Sequence, residues 1–316
     1  MKQTYLKDFM ALEPFDHKIT ACMGFFDGLH RGHQHLISKT IKIAKETGTE
    51  SAMITFSPDP WTVINNKSKV NHITPIKDKV RIAEKLGLDH FITIHFDSNT
   101  AQLSPQDFIE KILLRINVKN LLVGADFRFG HKGAGNVAYL QEHAHMFFDT
   151  HILEIDKEKD EKIGTTQITQ AILRGDMEVA TDLLGRPYHV CGLVVPGKQE
   201  GRKIGFPTAN IDVIDEYVIP AGGIYAGYIW VDGVRHEAVL NIGYNPTFNT
   251  NDYISIESFI LDFDQDIYGK YVKQNFIKRL RPELKFDSVE ALVEQMNIDV
   301  INARKVFKER DWDNDL

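Results

Sequence analysis

Met23-Gly24-Phe25-Phe26-Asp27-Gly28-Leu29-His30-Arg31-Gly32-His33 is the stretch on which the reading of the first half of this chain turns. The apolar residues 19–23 before it predict a strand. After it, Leu36, Ile37, Thr40, Ile41 and Ala44 return about every 3.6 residues, which predicts a helix. Gly28 and Gly32 let the backbone turn tightly and come close to a ligand. A strand that breaks into a glycine turn and feeds a helix leaves amide N–H groups at the helix start, a natural phosphate site. His30 and His33 would stand beside that site as neutral or cationic donors. Such donors stabilise charge on a phosphate undergoing in-line displacement without forming a covalent bond. Read on its own, an H-x-x-H pair is also compatible with two surface histidines on an ordinary strand–turn–helix.

At 316 residues the chain is long enough for two domains, each with its own core. A composition of 43% hydrophobic and 26% charged residues describes an ordinary soluble globular protein. The net charge of −7 argues against a general nucleic-acid or membrane-surface binder, whose footprint would be basic. Cys22 and Cys191 are the only cysteines, so neither a disulfide framework nor a multi-cysteine zinc site is expected. Asp8, Glu13 and Asp16 interrupt the N-terminal segment, unlike a secretory signal. No apolar run approaches the roughly 18 residues of a membrane span. A cytoplasmic protein is expected.

Further along, apolar stretches at 51–56, 90–96, 119–123 and 146–153 predict strands, and helical patterns fall at 78–86 and 105–116. In the second pattern Ser104 reads as N-cap and Pro105 as first helical residue, with Phe108, Ile109, Ile112 and Leu113 as the buried stripe. Alternation of this kind implies a parallel sheet with helices on both faces, whose ligands bind past the carboxyl ends of the strands. Gly124-Ala125-Asp126-Phe127-Arg128-Phe129-Gly130 follows the 119–123 strand, which puts it on the same rim as the histidines. Asp126 would accept hydrogen bonds from a ribose or base, and Arg128 would pair with phosphate. A plain turn with a solvated arginine fits that stretch equally well.

Residues 156–162 are a charge run, expected to be a solvated loop. Thr165 or Thr166 reads as the N-cap of a helix that stops at Gly175, a start able to hold ATP phosphates through hydroxyl and amide donors. A short helix at 177–184 is closed by Gly185-Arg186-Pro187, which sets the expected domains at 1–184 and 185–316. Beyond it, short strands at 189–195, 223–231, 235–241, 254–262 and 270–277 predict a small antiparallel barrel. A C-terminal helix at 288–310 follows, with Val289, Leu292, Val293, Met296, Val300 and Ala303 on one face.

The barrel segment opens with Gly197-Lys198-Gln199-Glu200-Gly201-Arg202-Lys203-Ile204-Gly205-Phe206-Pro207-Thr208-Ala209-Asn210. Its three glycines with Lys198, Arg202 and Lys203 make a flexible basic loop suited to phosphates, though not a Walker A sequence. On an extended segment Thr208 and Asn210 point to one side and would hold Mg²⁺ together with nucleotide phosphates. Glu257 interrupts a largely apolar strand. It reads either as a proton acceptor for an attacking hydroxyl or as an outward-facing strand residue.

The run G-F-F-D-G-L-H-R-G-H resembles the signature of the HxGH nucleotidylyltransferases, and within them the bacterial riboflavin kinase/FMN adenylyltransferase (FAD synthetase) family. Gly124–Gly130 resembles that family's nucleotide and flavin segment. Gly-Phe-Pro-Thr-Ala-Asn at 205–210 resembles its riboflavin kinase signature, as do 241–248, Tyr268-Gly269 and 281–286. The resemblance implies an α/β fold: a Rossmann-like N-terminal domain with a parallel sheet, then a small antiparallel β-barrel kinase domain and a C-terminal helix. It implies transfer of the ATP γ-phosphate to riboflavin in the barrel, with Thr208 and Asn210 on the metal and Glu257 as general base. It implies adenylylation of FMN to FAD in the first domain, with His30 and His33 on the α-phosphate and Asp126, Thr165 and Thr166 placing ATP. Nucleotide or flavin contacts are implied for Gly24, Phe26, Asp27, Gly28, Phe127 and Arg128 in the first domain. In the second they are implied for Gly197, Gly201, Arg202, Lys203, Gly205, Phe206, Pro207 and Arg281. The implied partners are ATP, Mg²⁺ and the flavins riboflavin, FMN and FAD, with no nucleic acid and no membrane; no oligomeric state is implied.

Three positions depart from the family pattern. Asp59 stands where a histidine is usual, Thr169 where an arginine is usual, and Glu200 puts a negative charge in a loop that should face phosphate. The alternatives are therefore an enzyme with only one of the two activities, or a flavin- or nucleotide-binding regulator without turnover.

Overall fold

The computed structural model describes residues 1–9, 12–66, 69–153, 164–197, 199–245 and 253–309. The charge run 156–162, Lys198 and residues 246–248 of the kinase-like segment 241–248 lie outside the described residues. By internal contacts the chain divides into two compact bodies, residues 1–163 and 164–315.

The first body is built on six parallel strands: β1 (Lys2–Leu6), β2 (Ile19–Met23), β3 (Glu50–Ser57), β4 (His90–His95), β5 (Val118–Gly124) and, after a short hairpin of β6 (Arg128–Phe129) and β7 (Gly135–Asn136), β8 (Asp149–Leu153). Their order in the sheet is β1-β4-β3-β2-β5-β8. From β2 the chain runs outward through β3 to β4, then returns and continues on the other side of β2 through β5 and β8. The two directions part between β2 and β5, so the crevice past their carboxyl ends is the topological switch point where open α/β sheets bind ligands.

Every central strand is apolar on both sides, as a doubly covered parallel sheet requires. Ala21, Met23, Ala52, Ile54, Leu121 and Val123 share one core with Phe108, Ile109, Ile112 and Leu140. Their alternates Cys22, Met53, Phe91 and Leu122 share the other with Leu36, Ile37, Ile82 and Ala83. The second core is covered by α1 (Arg31–Thr47), followed in the chain by α2 (Pro60–Ile64) and then by α3 (Ile76–Lys85), which covers the same face. On the first core, α4 (Ser98–Ala101) precedes α5 (Pro105–Phe108), and α6 (Val137–His143) comes after the hairpin. The helix expected at 105–116 starts as read, with the Ser104 side chain accepting from the Asp107 amide, but turns from α to π geometry over Ile109–Leu113. The edge strand β1, which pairs with β4, was not legible because Lys2, Gln3, Thr4 and Tyr5 carry no apolar run. The strand expected at 146–153 begins only at Asp149, since Met146 lies in an exposed turn.

The second body begins with α7 (Thr165–Arg174) and α8 (Met177–Leu184). A closed antiparallel barrel follows: β9 (Tyr188–Val195), then α9 (Glu200–Lys203), β10 (Ala209–Asp212), β11 (Gly223–Val231), β12 (Val234–Asn245), β13 (Tyr253–Ile260) and β14 (Tyr271–Arg281), ending in α10 (Val289–Glu309). Five of these strands match the sequence reading in position. The sixth, β10, closes the barrel by pairing with both β9 and β13. The expected stripe of α10 faces inward from Leu292 onward: Leu292, Val293, Met296 and Val300 are half-buried and Ala303 is buried, joined by buried Asp299 and Val306, while Val289 at the helix start is 55% exposed. Gly164 rather than Thr165 or Thr166 is the N-cap of α7, because the Gln167 side chain accepts from its amide at 3.2 Å and no hydroxyl is needed there.

α8 packs on α7 and on barrel strands β9 and β14. We therefore propose that the barrel needs both helices, in contrast to a boundary after Leu184. Met177 and Leu184 are fully buried, together worth roughly 3–6 kcal/mol. A fragment spanning 164–316 should resist urea better than one spanning 185–316 by that order. Equal midpoints in urea titrations of the two fragments would return the boundary to 184/185.

Candidate active sites

The glycine turn sits at the carboxyl end of β2, and the Gly124 segment at the carboxyl end of β5, its neighbour in parallel register. Both motifs therefore share the rim of the switch point. Three residues of the first turn have positive φ: Phe26 at 56°, Gly28 at 80° and Leu29 at 42°. For Phe and Leu this is strained backbone, which persists only where its surroundings over-determine it. The surroundings do so. Asp27 accepts from the amides of Gly28 at 2.9 Å and Thr74 at 3.0 Å, with Ile73 at 3.3 Å. The Phe25 carbonyl accepts from Thr55 Oγ1 at 3.1 Å and from Lys79 Nζ at 2.7 Å. Asp27 thus braces the turn from within, and its oxygens face protein amides.

His30 is the N-cap residue of α1, and its ring stacks on His33 with centroids 3.7 Å apart. Phe26 meets the His33 ring edge-on at 5.2 Å. A Cβ at Gly32 would lie 3.3 Å from His30 Cε1 and Nδ1, so glycine there leaves the imidazole its place against the helix start. The two stacked imidazoles thus stand at the start of a 17-residue helix, the end at which helix amides and dipole favour an anion. On the neighbouring strand end, Asp126 and Arg128 are exposed, and Phe127 is half-buried and stacked on buried Phe129. Asp59, at one of the departures, caps α2 by accepting from the Trp61 amide at 2.7 Å. Thr165, Thr166 and Thr169 lie on the first turns of α7, in the second body. The Cys22 thiol is buried beneath the turn, and burial pushes it up to about 12, so it is inert.

In the barrel, Asn210 on β10 and Asn241 on β12 both pair in register with Glu257, which stands between them on β13. Thr208 Oγ1 donates to Glu257 Oε2 at 3.1 Å. A Cβ at Gly197 would lie 2.2 Å from Asn210 Nδ2, and one at Gly201 would lie 2.3 Å from the Phe206 carbonyl. The loop therefore closes down on Thr208 and Asn210 only because both are glycines. Arg202, Lys203, Gly205 and Pro207 are exposed around it, as is Glu200 at the start of α9. Next to Glu257 is a cavity of about 210 Å³, lined on its apolar side by Phe206, Phe259, Leu292 and Met296. Arg281 lines it as well, but its Nε and Nη2 bind buried Asp299 of α10 at 2.9 and 2.7 Å. That pair anchors the helix over the cavity. Asn241 and Asp299 escaped the sequence reading, since their parts depend on strand pairing and helix docking.

Residues 12–167 match the family model for FAD synthetase, and residues 184–307 match that for riboflavin kinase. The chain is 38% identical to a bifunctional riboflavin kinase/FMN adenylyltransferase of Listeria monocytogenes, covering 97% of this chain and 98% of that one. It is 37% identical to the Bacillus subtilis protein of the same name, over 92% and 93% of the two chains, and 32% identical to that of Escherichia coli, over 90% and 91%. A crystal structure from Streptococcus pneumoniae, named there a macrolide-efflux protein, superposes with a TM-score of 0.87 at 29% identity over 96% of this chain and 99% of that one. With both family models matched in order and relatives aligned over nearly their full length, the chain belongs to the bifunctional riboflavin kinase/FMN adenylyltransferase family.

Proposed function

We propose that the barrel phosphorylates riboflavin to FMN and that the parallel-sheet body adenylylates FMN to FAD, each using ATP. The observation that carries the reading is the Thr208–Glu257 contact at 3.1 Å, set beside Asn210 at the polar end of an apolar cavity. In the kinase step the riboflavin 5′-oxygen bonds to the γ-phosphorus, the bond from that phosphorus to the bridging oxygen breaks, and ADP leaves. Glu257 takes the hydroxyl proton. Thr208 and Asn210 offer hard neutral oxygens beside a carboxylate, a donor set that fits Mg²⁺ completed by phosphate oxygens and water. When bound there, the ion supplies positive charge to the transferring phosphate. The isoalloxazine fits the apolar wall of Phe206 and Phe259.

In the adenylyl step a phosphate oxygen of FMN bonds to the α-phosphorus of ATP and pyrophosphate departs. The nucleophile is already an anion, so this site needs donors for developing charge rather than a general base. His30 and His33 on the start of α1 are such donors. The relatives carry both activities in one name, which favours the two-step enzyme over a single activity or a regulator without turnover. The demand for ATP is the ground for proposing a cytoplasmic setting. No helix among the described residues is long and apolar enough to cross a membrane.

Incubation with riboflavin, ATP and Mg²⁺, followed by chromatographic separation of the flavins, should yield FMN and then FAD; absence of both would sink the reading. Glu257→Gln should lower FMN formation by roughly 10²–10⁴-fold while leaving conversion of supplied FMN to FAD intact. His33→Gln should do the converse, lowering FAD formation by roughly 10²–10³-fold, the usual loss for one oxyanion donor. Loss of both activities in either variant would show that the two sites are not chemically separate.

A further inference from the structure

Lys79 is charged, 3% exposed, and used by neither step above. It sits on α3, one turn past the Ile73 and Thr74 amides that hold Asp27. Its Nζ donates to the Phe25 carbonyl at 2.7 Å and lies 3.9 Å from the Phe25 ring centroid. The charged and titratable groups around it are Asp27 from the turn, Asp59 from the start of α2 and, one contact further, His72. His72 Nδ1 is 3.9 Å from Asp59 Oδ2, and its ring is 5.7 Å from that of Phe25. One segment, residues 73–79, thus grips the strained turn twice, by backbone amides on Asp27 and by an ammonium on the carbonyl just before Phe26.

We propose that Lys79 is a positioning residue for adenylyl transfer: from beneath the turn it holds the Phe25 carbonyl and balances the carboxylates of Asp27 and Asp59, so that His30 and His33 stay aimed at the α-phosphate. The proposal rests on the adenylyl reading given above. It also gives the departure at Asp59 a role in this chain, as a second counter-charge.

Burial pushes the Lys79 ammonium down to about 8, against the upward pull of Asp27 and Asp59. Its folded value thus lies below its ordinary 10.5, so unfolding takes up a proton between the two. The burden on stability is full below about 8 and gone above 10.5. A charge kept in place at neutral pH is therefore kept against stability, as groups held for a site are. Above pH 8 the ammonium is lost and the turn loses its counter-charge.

The test uses the full chain and three measurements: FAD formation from FMN, riboflavin phosphorylation and thermal unfolding. For Lys79→Met, kcat for FAD formation should fall by roughly 10- to 100-fold, the scale of an ångström's misplacement, with KM for ATP and FMN moving far less. Riboflavin phosphorylation should not change. In the wild type, FAD formation should decline as pH rises through about 8. Asp59→Asn keeps the helix cap but removes one carboxylate, and should move that decline to lower pH by roughly one unit. A Lys79→Met variant with near-wild-type kcat and the same alkaline decline overturns the proposal. So does an unmoved decline in Asp59→Asn, which decides the matter if Lys79→Met fails to fold. A wild type that makes no FAD from FMN would instead remove the adenylyl reading itself.

Discussion

The parallel register of β2 between β3 and β5 is the constraint on which the first site depends. Parallel strands present all their carboxyl ends on one rim, and crossover helices cover the faces, so the backbone groups freed at those strand ends face a common rim. Reversal of strand order between β2 and β5 then opens a crevice. Two motifs a hundred residues apart in sequence, Gly24–His33 and Gly124–Gly130, meet there because the strands that deliver them are neighbours. Apolar burial on both faces makes that delivery rigid: Cys22, Met53 and Leu122 pack one side while Ala21, Met23 and Leu121 pack the other.

Rigidity alone does not hold a turn with Phe26 and Leu29 at positive φ. Polar groups clamp it from below, with Asp27 on the amides of Thr74 and Ile73 and with Thr55 and Lys79 on the Phe25 carbonyl. The barrel solves its own problem differently. Glu257 is fixed by ladder pairing between Asn210 and Asn241, and α10 over its cavity is anchored by the pairing of Arg281 with buried Asp299. A bidentate guanidinium–carboxylate pair is well suited to that role, because its planar fork restricts the docking angle of α10.

Much of this was legible in residue order. Apolar runs and 3.6-residue periodicity place β2, α1 and β3, and the glycines with two histidines mark the turn at their junction. Thr208, Asn210 and Glu257 stand out as oxygen donors in extended, apolar surroundings, and the structure brings them together. Other elements carry no local signal. β1 is polar along its length, and β10 is too short for a period. The switch of 105–116 into π geometry also lies outside a pattern read at one period.

The sequence by itself determined most of the strands and the longer helices, the change from a parallel sheet to a barrel along the chain, and which side chains are candidates to meet phosphate, metal or proton. Those properties are local, set by the spacing of apolar residues, glycine freedom and donor type. Only the tertiary structure decided how they are held. That Asp27 faces protein amides, that Arg281 is engaged by Asp299, and that a lysine 54 residues away in the chain grips the Phe25 carbonyl are facts of packing. They depend on which surfaces α3 and α10 bury, and burial is a property of neighbours in space that no stretch of chain encodes alone.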